Sequence, residues 1–381
     1  MASIKKRPNG KWRARYRDPD GREHARHFDR KVDAQTWLDE VTADLVTGRY
    51  VNPRAGTRRF GPYALDWLEA QTFGLSSRET IERRLRNHIL PAFARRQLRN
   101  IRPSTVQAWL GGQAKQYAPS TVVGQMVTLT AILDAAVDDL LIVSNPCKAS
   151  TVKAPAIPKG RIVPWTTERV ASIIDAHPRR YEAVAIVGAG LGVRQGEAFG
   201  LALGDVDWLR QVVHIRRQVK IVSNTMVFGP PKGNKVRDIP LPETVAMALA
   251  GHLEQHPPRA VSLPWQRPDG DPVTVELLST TDDGGPIRRS TFNGSVWRPA
   301  VEAAGLEPSR ETGFHQLRHH YASVLLDAGV SIRQLAEHLG HTDPSFTLKV
   351  YSHVMPDSED RTRRAIDAAF ARHKRGERRA E

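Results

Sequence analysis

The sequence predicts a multidomain, mainly helical protein: a small α+β module at the N-terminus, an all-α middle domain, and a mainly α third domain with a small antiparallel β-sheet. Three observations predict it. The chain has 381 residues, enough for two or three separate cores. Lys11 to Arg17 alternates apolar and basic residues, the period of a strand with one packed face, whereas Gly61 to Pro146 carries helical periodicity throughout. Two Pro- and cation-bearing stretches, Tyr50–Phe60 and Cys147–Arg161, interrupt these patterns and read as linkers. The boundaries that follow are 1–55, 60–147, a linker at 148–161, and 162–381.

In the first module, Trp12, Ala14 and Tyr16 share one strand face, and Lys11, Arg13, Arg15 and Arg17 share the other. Asn9-Gly10 and Asp18-Pro19-Asp20-Gly21 read as turns. Arg22–Phe28 adds a strand to close a three-stranded sheet, and Lys31–Thr47 reads as a helix on the apolar pattern Val32, Trp37, Leu38, Val41, Leu45. A basic sheet can enter a DNA groove. A lone strand of this kind is more often just a solvated charged face, and the residues alone leave both readings open.

The middle domain reads as helices near Pro62–Phe73, Arg78–Ile89, Ser104–Gln116 and Ser120–Leu140, with Ser104 and Ser120 as N-caps. Arginines crowd its second helix and exit: Arg78, Arg83, Arg84, Arg86, Arg95, Arg96 and Arg99. The linker beyond it carries Lys148, Lys153 and Lys159.

In the third domain a helix starts at Trp165-Thr166-Thr167-Glu168, and the strand-like runs Val212–Arg217, Val219–Phe228 and Val236–Ile239 make a small sheet around Lys232. Lys232-Gly233-Asn234 reads as a tight hairpin tip that holds a mobile ammonium. Arg194 lies in a glycine-bounded turn opening a helix, where backbone and guanidinium can approach a phosphate. A helix from His315 carries Arg318 three residues on and runs through Tyr321, Val324 and Leu325 to stop at Gly329. A short helix, Ser331 to Leu339, ends at Gly340 and delivers His341, and Tyr351 follows ten residues later. Ser358 to His373 reads as a tail helix.

Lys and Arg number 56 against 41 Asp and Glu, a net charge of +15 that favours a polyanionic partner. A single cysteine, Cys147, allows no intramolecular disulfide and no cysteine zinc site, which fits a reducing cytoplasm. The start, Met-Ala-Ser-Ile-Lys-Lys, is not a signal peptide. The most apolar run, Ala183–Val193, is too short for a bilayer, which takes about 20 residues. There is no phosphate-binding Walker loop, no His-Glu-x-x-His and no cluster of acidic metal ligands; Asp282-Asp283 reads as a turn.

Singly, each of these side chains has a bland reading, a half-buried tyrosine or a structural histidine. The ordered set is more specific. Arginine forks a phosphate, histidine moves protons near neutrality, and a tyrosine hydroxyl can form a covalent ester.

The order Arg194, Lys232, His315-x-x-Arg318, His341, Tyr351 resembles the tyrosine recombinase (phage integrase) family. Gly-Val-Arg194-Gln-Gly-Glu197 is similar to its first arginine box, Lys232-Gly-Asn-Lys to its hairpin lysine, His315-Gln-Leu-Arg318-His319 to its second box, and Leu-Gly-His341 with Tyr351-Ser-His353 to its third. The resemblance is clear from Ile162 to Ala371 and weaker toward the N-terminus. It departs at His320, where the family often has Ser or Thr, and at Pro257–Arg289, which is longer than in a minimal catalytic domain.

The resemblance implies a site-specific recombinase or integrase of a phage or mobile element. In it, Tyr351 attacks DNA to form a 3′-phosphotyrosyl link. Arg194 and Arg318 stabilise the phosphate charge, and Lys232 protonates the leaving 5′-oxygen. His315 manages the tyrosine proton, His341 donates to the phosphate, and Glu197 supports the first box. No cofactor is implied, since the ester keeps the bond energy. Residues 1–55 become an arm-type DNA-binding module using Arg13, Arg15 and Arg17. Residues 60–147 become a helical, SAM-like core-binding domain using Arg83, Arg84, Arg95 and Arg96, and Lys159 lies in a linker crossing DNA. Implied partners are double-stranded DNA with core and arm-type sites, three further copies in a tetramer working through a Holliday junction, and an excision factor or host DNA-bending protein; no membrane is implied, and the location is cytoplasmic. The alternatives are a chromosome-dimer-resolving recombinase, which lacks an arm-binding module, a type IB topoisomerase, and a DNA-binding protein without catalysis.

Overall fold

A computed structural model of the chain describes residues 2–351 except 19–20, 48–49, 51, 53–54, 159–162 and 342, and beyond them only Arg363, Ile366 and Asp367. It divides into two compact units, Met1–Lys159 and Gly160–Glu381.

The first unit opens with an antiparallel sheet of β1 (Ser3–Lys6), β2 (Trp12–Arg17) and β3 (Glu23–Phe28), with β2 in the centre. Its inner face buries Ala14 and Tyr16 against Ala34 and Leu38 of α1 (Lys31–Val46), as the alternation requires. Five helices follow: α2 (Phe60–Ala70), α3 (Leu75–Arg84), α4 (Leu90–Phe93), α5 (Pro103–Ala114) and α6 (Pro119–Asp138). A π turn, Leu85–Ile89, joins α3 to α4. The expected serine caps are displaced. Pro103 and Pro119 take the first helical positions, where a missing N–H costs nothing, so Ser104 and Ser120 fall inside the first turn and Arg102 and Ala118 are the caps, without side-chain hydrogen bonds. Among the described residues α6 is the one helix long and apolar enough to cross a membrane. Its apolar face, Val122, Leu129, Ile132, Leu133 and Ala136, lies in this unit's core.

The second unit is built on α8 (Arg179–Leu191), which holds most of the Ala183–Val193 run. It packs against α7 (Thr167–Asp175), α10 (Glu243–Gln255) and α13 (His315–Asp327). Thr166 caps α7 by accepting from Arg169 N. A Cβ on Gly188 would lie 2.7 Å from the Phe314 ring, so the close approach of α8 and the start of α13 needs a glycine there. Gln195–Phe199 forms α9, and α11 (Arg289–Phe292) runs through a π turn at Asn293–Trp297 into α12 (Arg298–Ala303). The unit closes with α14 (Ile332–Leu339) and α15 (Pro344–Tyr351).

The expected single sheet is instead two. β4 (Val206–Asp207), β5 (Val212–Ile215) and β8 (Arg237–Pro240) form one, and β6 (Gln218–Val222) and β7 (Thr225–Gly229) form a separate hairpin. Ser223 and Asn224 both take positive φ, 46° and 62°, and fold the apolar run Val219–Phe228 back on itself. Lys232–Asn234 is a tight turn between β7 and β8, with Gly233 at φ 76° and Asn234 at φ 56°; β7 and β8 do not pair, so it is not a hairpin tip. The long stretch 257–289 holds one more hairpin, β9 (Arg259–Pro264) with β10 (Pro272–Leu277), whose Val261 and Leu277 join the core. The expected tail helix Ser358–His373 lies outside the described residues, apart from Arg363, Ile366 and Asp367, which are helical and exposed.

Candidate active site

The first arginine box is set by backbone. Gly192 ends α8 with φ 62°, and a Cβ there would sit 2.4 Å from the Tyr321 ring, so glycine is required by both conformation and space. Arg194 then caps α9, and the carboxylate of Glu197 accepts from Arg194 N at 2.8 Å and from Arg194 Nη1 at 3.0 Å. Arg237 of β8 closes the other side of the same carboxylate with two bonds of 2.7 and 3.1 Å, and its Nε donates to His338 O at 2.6 Å. Burial alone would raise the pKa of Glu197. The Arg237 hydrogen bonds and charge, with Arg194 beside them, outweigh burial and hold it at about 2.

The second box lies on α13. Arg318 is 1% exposed. Its Nη1 donates to Gly192 O at 2.7 Å, and its Nη2 donates to Leu339 O and, at 3.1 Å, to Nε2 of His341. Burial and the charge of Arg194 press the Arg318 pKa below the usual guanidinium range, which still leaves it charged at neutral pH. A guanidinium cannot accept, so Nε2 of His341 must. That places the His341 proton on Nδ1, which donates to Thr347 Oγ1 at 2.7 Å. Burial, then the charges of Arg318 and Arg194, lower the His341 pKa to about 4.

Thr347 and Tyr351 stand one turn apart on α15. The Tyr351 ring is buried, and its hydroxyl lies 2.8 Å from Nδ1 of His319. Burial raises the phenol pKa to about 12, with the Arg318 charge pulling the other way. His319, one turn beyond His315 on α13, has its pKa lowered to about 4 by burial and then by Arg318. The His315 ring meets His319 edge-on at 4.9 Å, and burial first, then the charge of His319, lowers its pKa to about 3. His315 has no hydrogen-bond partner among the described residues. The expected contact between His315 and the tyrosine is thus replaced by one from His319.

Arg194, Lys232, His315, Arg318 and His341 line one cavity of about 480 Å³, with Lys235 on its wall. Five of the six side chains singled out in the sequence therefore converge, from segments spread between residues 194 and 341. Tyr351 does not line the cavity; its hydroxyl contacts His319, whose ring lies edge-on to the cavity-lining His315. Lys232 is exposed and has no ion pair or hydrogen bond among the described residues, whereas Lys235 donates to His341 O at 2.8 Å. A cavity lined by the buried Arg318 and half-buried Arg194 guanidinium groups, the ammonium groups of Lys232 and Lys235 and neutral imidazoles, with Asp343 also in the lining, suits a phosphate diester.

The basic residues of the first unit are dispersed. Arg13, Arg15 and Arg17 share the outer face of β2, but Arg13 and Arg15 both pair with Glu23 at 3.1 and 3.3 Å, and Arg17 donates to Gly21 O. Arg83, Arg95 and Arg96 are exposed, while Arg84 is half-buried against Gly124 of α6. Lys159 lies outside the described residues. His320 bonds the backbone oxygen of Trp165 at 2.9 Å, so that departure from the family pattern serves the entry to α7. Asp282 pairs with Arg180 at 2.7 Å. Among the described residues, no group of three or more His, Cys, Asp or Glu side chains is placed to hold a metal ion.

Sequence reasoning missed Arg237, His319 and Thr347 as parts of this site. His319 carried a signal, since it falls on the His315 face of a helix. Arg237 and Thr347 gained theirs only from tertiary pairing.

The fold and this cluster define a site-specific tyrosine recombinase, and the chain belongs to the phage integrase family. Residues 166–357 match the description "Phage integrase family", residues 2–47 "Phage integrase, N-terminal domain", and residues 60–112 "Phage integrase, N-terminal SAM-like domain". A putative prophage phiRv2 integrase of Mycobacterium tuberculosis is 30% identical over 363 residues, 92% of this chain and 91% of the relative. In fold, the chain is similar to the Tn1549 transposon integrase in complex with transposon right end DNA, with a TM-score of 0.69 and 19% identity over 82% of this chain and 100% of that one. It is also similar to a lambda integrase tetramer bound to a Holliday junction, with a TM-score of 0.56 and 17% identity over 90% of this chain and 96% of that one.

Proposed function

We propose that this integrase cleaves and rejoins double-stranded DNA with Tyr351 as nucleophile, forming a 3′-phosphotyrosyl link and freeing a 5′-hydroxyl. One observation carries the reading: Arg194, Lys232, His315, Arg318 and His341 meet at one cavity of about 480 Å³, and His319, edge-on to His315, contacts the Tyr351 hydroxyl. Arg194 and Arg318 stabilise charge on the nonbridging oxygens, because their guanidinium groups are fixed before substrate arrives and need no reorganisation. Lys232, exposed on its turn and without a carboxylate partner among the described residues, delivers the proton to the leaving 5′-oxygen. His341, oriented by Thr347, holds Arg318 through Nε2, and His315 faces the phosphate. Glu197 holds Arg194 in place and does not react.

Residues 1–55 serve as the arm-type module, 60–147 as the core-binding domain, 148–161 with Lys159 as a linker along the DNA, and 162–381 as the catalytic domain with its tail. The outer face of β2 and the exposed arginines at 83, 95 and 96 support that assignment. Four copies exchange strands through a Holliday junction, as the lambda integrase tetramer on such a junction suggests. An excision factor or host DNA-bending protein sets direction, and the reaction takes place in the cytoplasm without a cofactor. A nicked suicide DNA carrying the core site tests the nucleophile. Wild type is expected to trap a covalent adduct and Tyr351→Phe none; an adduct of normal yield from the Phe variant would remove the assignment.

A further inference from the structure

We infer that His319, and not His315, exchanges the proton of the Tyr351 hydroxyl during cleavage and joining. The inference rests on Tyr351 being the nucleophile and goes beyond it by naming the base. Nδ1 of His319 lies 2.8 Å from the Tyr351 hydroxyl, inside the distance over which a general base must work. The two rings meet at 5.7 Å between centroids. His315 stands one helical turn away, on the phosphate cavity, with its ring edge-on to His319. The two histidines of one helix face thus divide the work: the first addresses the phosphate, the second the phenol.

The protonation states fit. Burial keeps the phenol protonated, so it cannot attack without giving up a proton. Burial and Arg318 keep His319 neutral, so Nδ1 can accept when the ring proton is on Nε2. In cleavage the Tyr351 Oη–phosphorus bond forms, the phosphorus–O5′ bond breaks, and the phenol proton passes to Nδ1, giving an imidazolium. The departing 5′-oxygen takes its proton from Lys232. In joining, the 5′-hydroxyl attacks and gives its proton to the neutral Lys232 amine, the phosphotyrosyl bond breaks, and Nδ1 returns its proton to the Tyr351 oxygen. The imidazolium is disfavoured beside Arg318 until a phosphate brings negative charge into the cavity. Proton transfer is therefore coupled to DNA being in place.

The test uses the full chain on nicked suicide DNA. His319→Ala and His319→Asn are expected to slow adduct formation by about 10²- to 10⁴-fold with core-site binding intact. Asn keeps a polar group near Nδ1 but cannot take a proton, so its loss separates base from spacer, and it stands in should the Ala variant unfold by circular dichroism. Fluorinated tyrosine at position 351, whose phenol ionises more readily, should recover about tenfold or more of the lost rate in the His319 variants and none in His315→Ala. Cleavage by both His319 variants at the wild-type rate overturns the inference, as does fluorotyrosine rescue of His315→Ala alone. An adduct from Tyr351→Phe would overturn the nucleophile assignment itself, a separate result.

Discussion

Glu197 and Glu23 each sit between two arginines, and they differ in almost everything else. Glu197 joins Arg194 to Arg237 with its side chain fully buried, while Glu23 joins Arg13 to Arg15 across the outer face of the N-terminal sheet with a third of its side chain in solvent. The same ionic chemistry does different work in the two settings. At the buried triad the surroundings are poorly polarisable, desolvation is large, and only the full set of hydrogen bonds makes the charges tolerable. The result is an arginine held at the cavity proposed to take the phosphate. At the surface triad, water screens each pair, the energy is small, and the arginines can be given up to another anion. Preorganisation comes from the first arrangement and adjustable affinity from the second.

Breaking the buried triad is expected to have the largest effect. Glu197→Gln leaves Arg194 and Arg237 without their counter-charge in a buried site, at a cost of about 3–5 kcal/mol in unfolding free energy, and it frees Arg194 to move off the phosphate. Denaturant unfolding and suicide-substrate cleavage on the same sample measure both. An acid titration sharpens the point. The folded protein holds Glu197 ionised down to about pH 2, whereas an unfolded glutamate protonates near the ordinary carboxylate range. The stability Glu197 contributes is therefore fully present at neutral pH and is lost as pH falls from that range toward about 2. Glu197→Gln should lack this portion of the acid limb; an unchanged limb would show that the triad does not hold the charge.

Lys232 is the intermediate case, an exposed cation with no carboxylate partner among the described residues. Lys232→Ala should leave stability within about 0.5 kcal/mol, since it loses no partner. It should slow cleavage of ordinary DNA by about 10²- to 10⁴-fold. DNA with a 5′-bridging phosphorothiolate, whose leaving group needs no proton, should recover the rate. Failure of that rescue would move the acid role to another group.

The same contrast decides what the sequence could reveal. The three-part fold was legible because alternation at Trp12–Arg17 and helical periodicity elsewhere are local signals. So was the ordered set Arg194, Lys232, His315, Arg318, His341 and Tyr351 that identifies the family, five of whose side chains line one cavity. The serine caps misled because Pro103 and Pro119 claimed the first helical positions. The sheet around Lys232 misled because Ser223-Asn224 folds one apolar run into a hairpin, and nothing local says whether β7 then pairs with β8. Arg237 and Thr347 were invisible for a related reason. A strand arginine finds a glutamate 40 residues away, and a threonine finds a histidine across a helix start; burial creates both contacts and no sequence spacing encodes them.

The smallest effect is expected at the surface triad, and it tests whether the N-terminal sheet touches DNA at all. In the wild type a phosphate approaching Arg13 or Arg15 must compete with Glu23, which also repels it. Glu23→Gln keeps the shape and removes the charge. Unfolding free energy should change by less than about 1 kcal/mol, because both pairs are partly exposed and screened. Binding of the full chain to arm-type DNA should tighten severalfold at low salt, since two arginines are released to the phosphates. The slope of log affinity against log salt should steepen by about 1 for each added phosphate contact. Double substitution of Arg13 and Arg15 by Ala should flatten the same slope. If Glu23→Gln leaves both affinity and slope unchanged, the outer face of β2 is a solvated surface. If binding instead weakens, Glu23 serves to aim the two arginines, and the surface triad is closer in kind to the buried one than its exposure suggests.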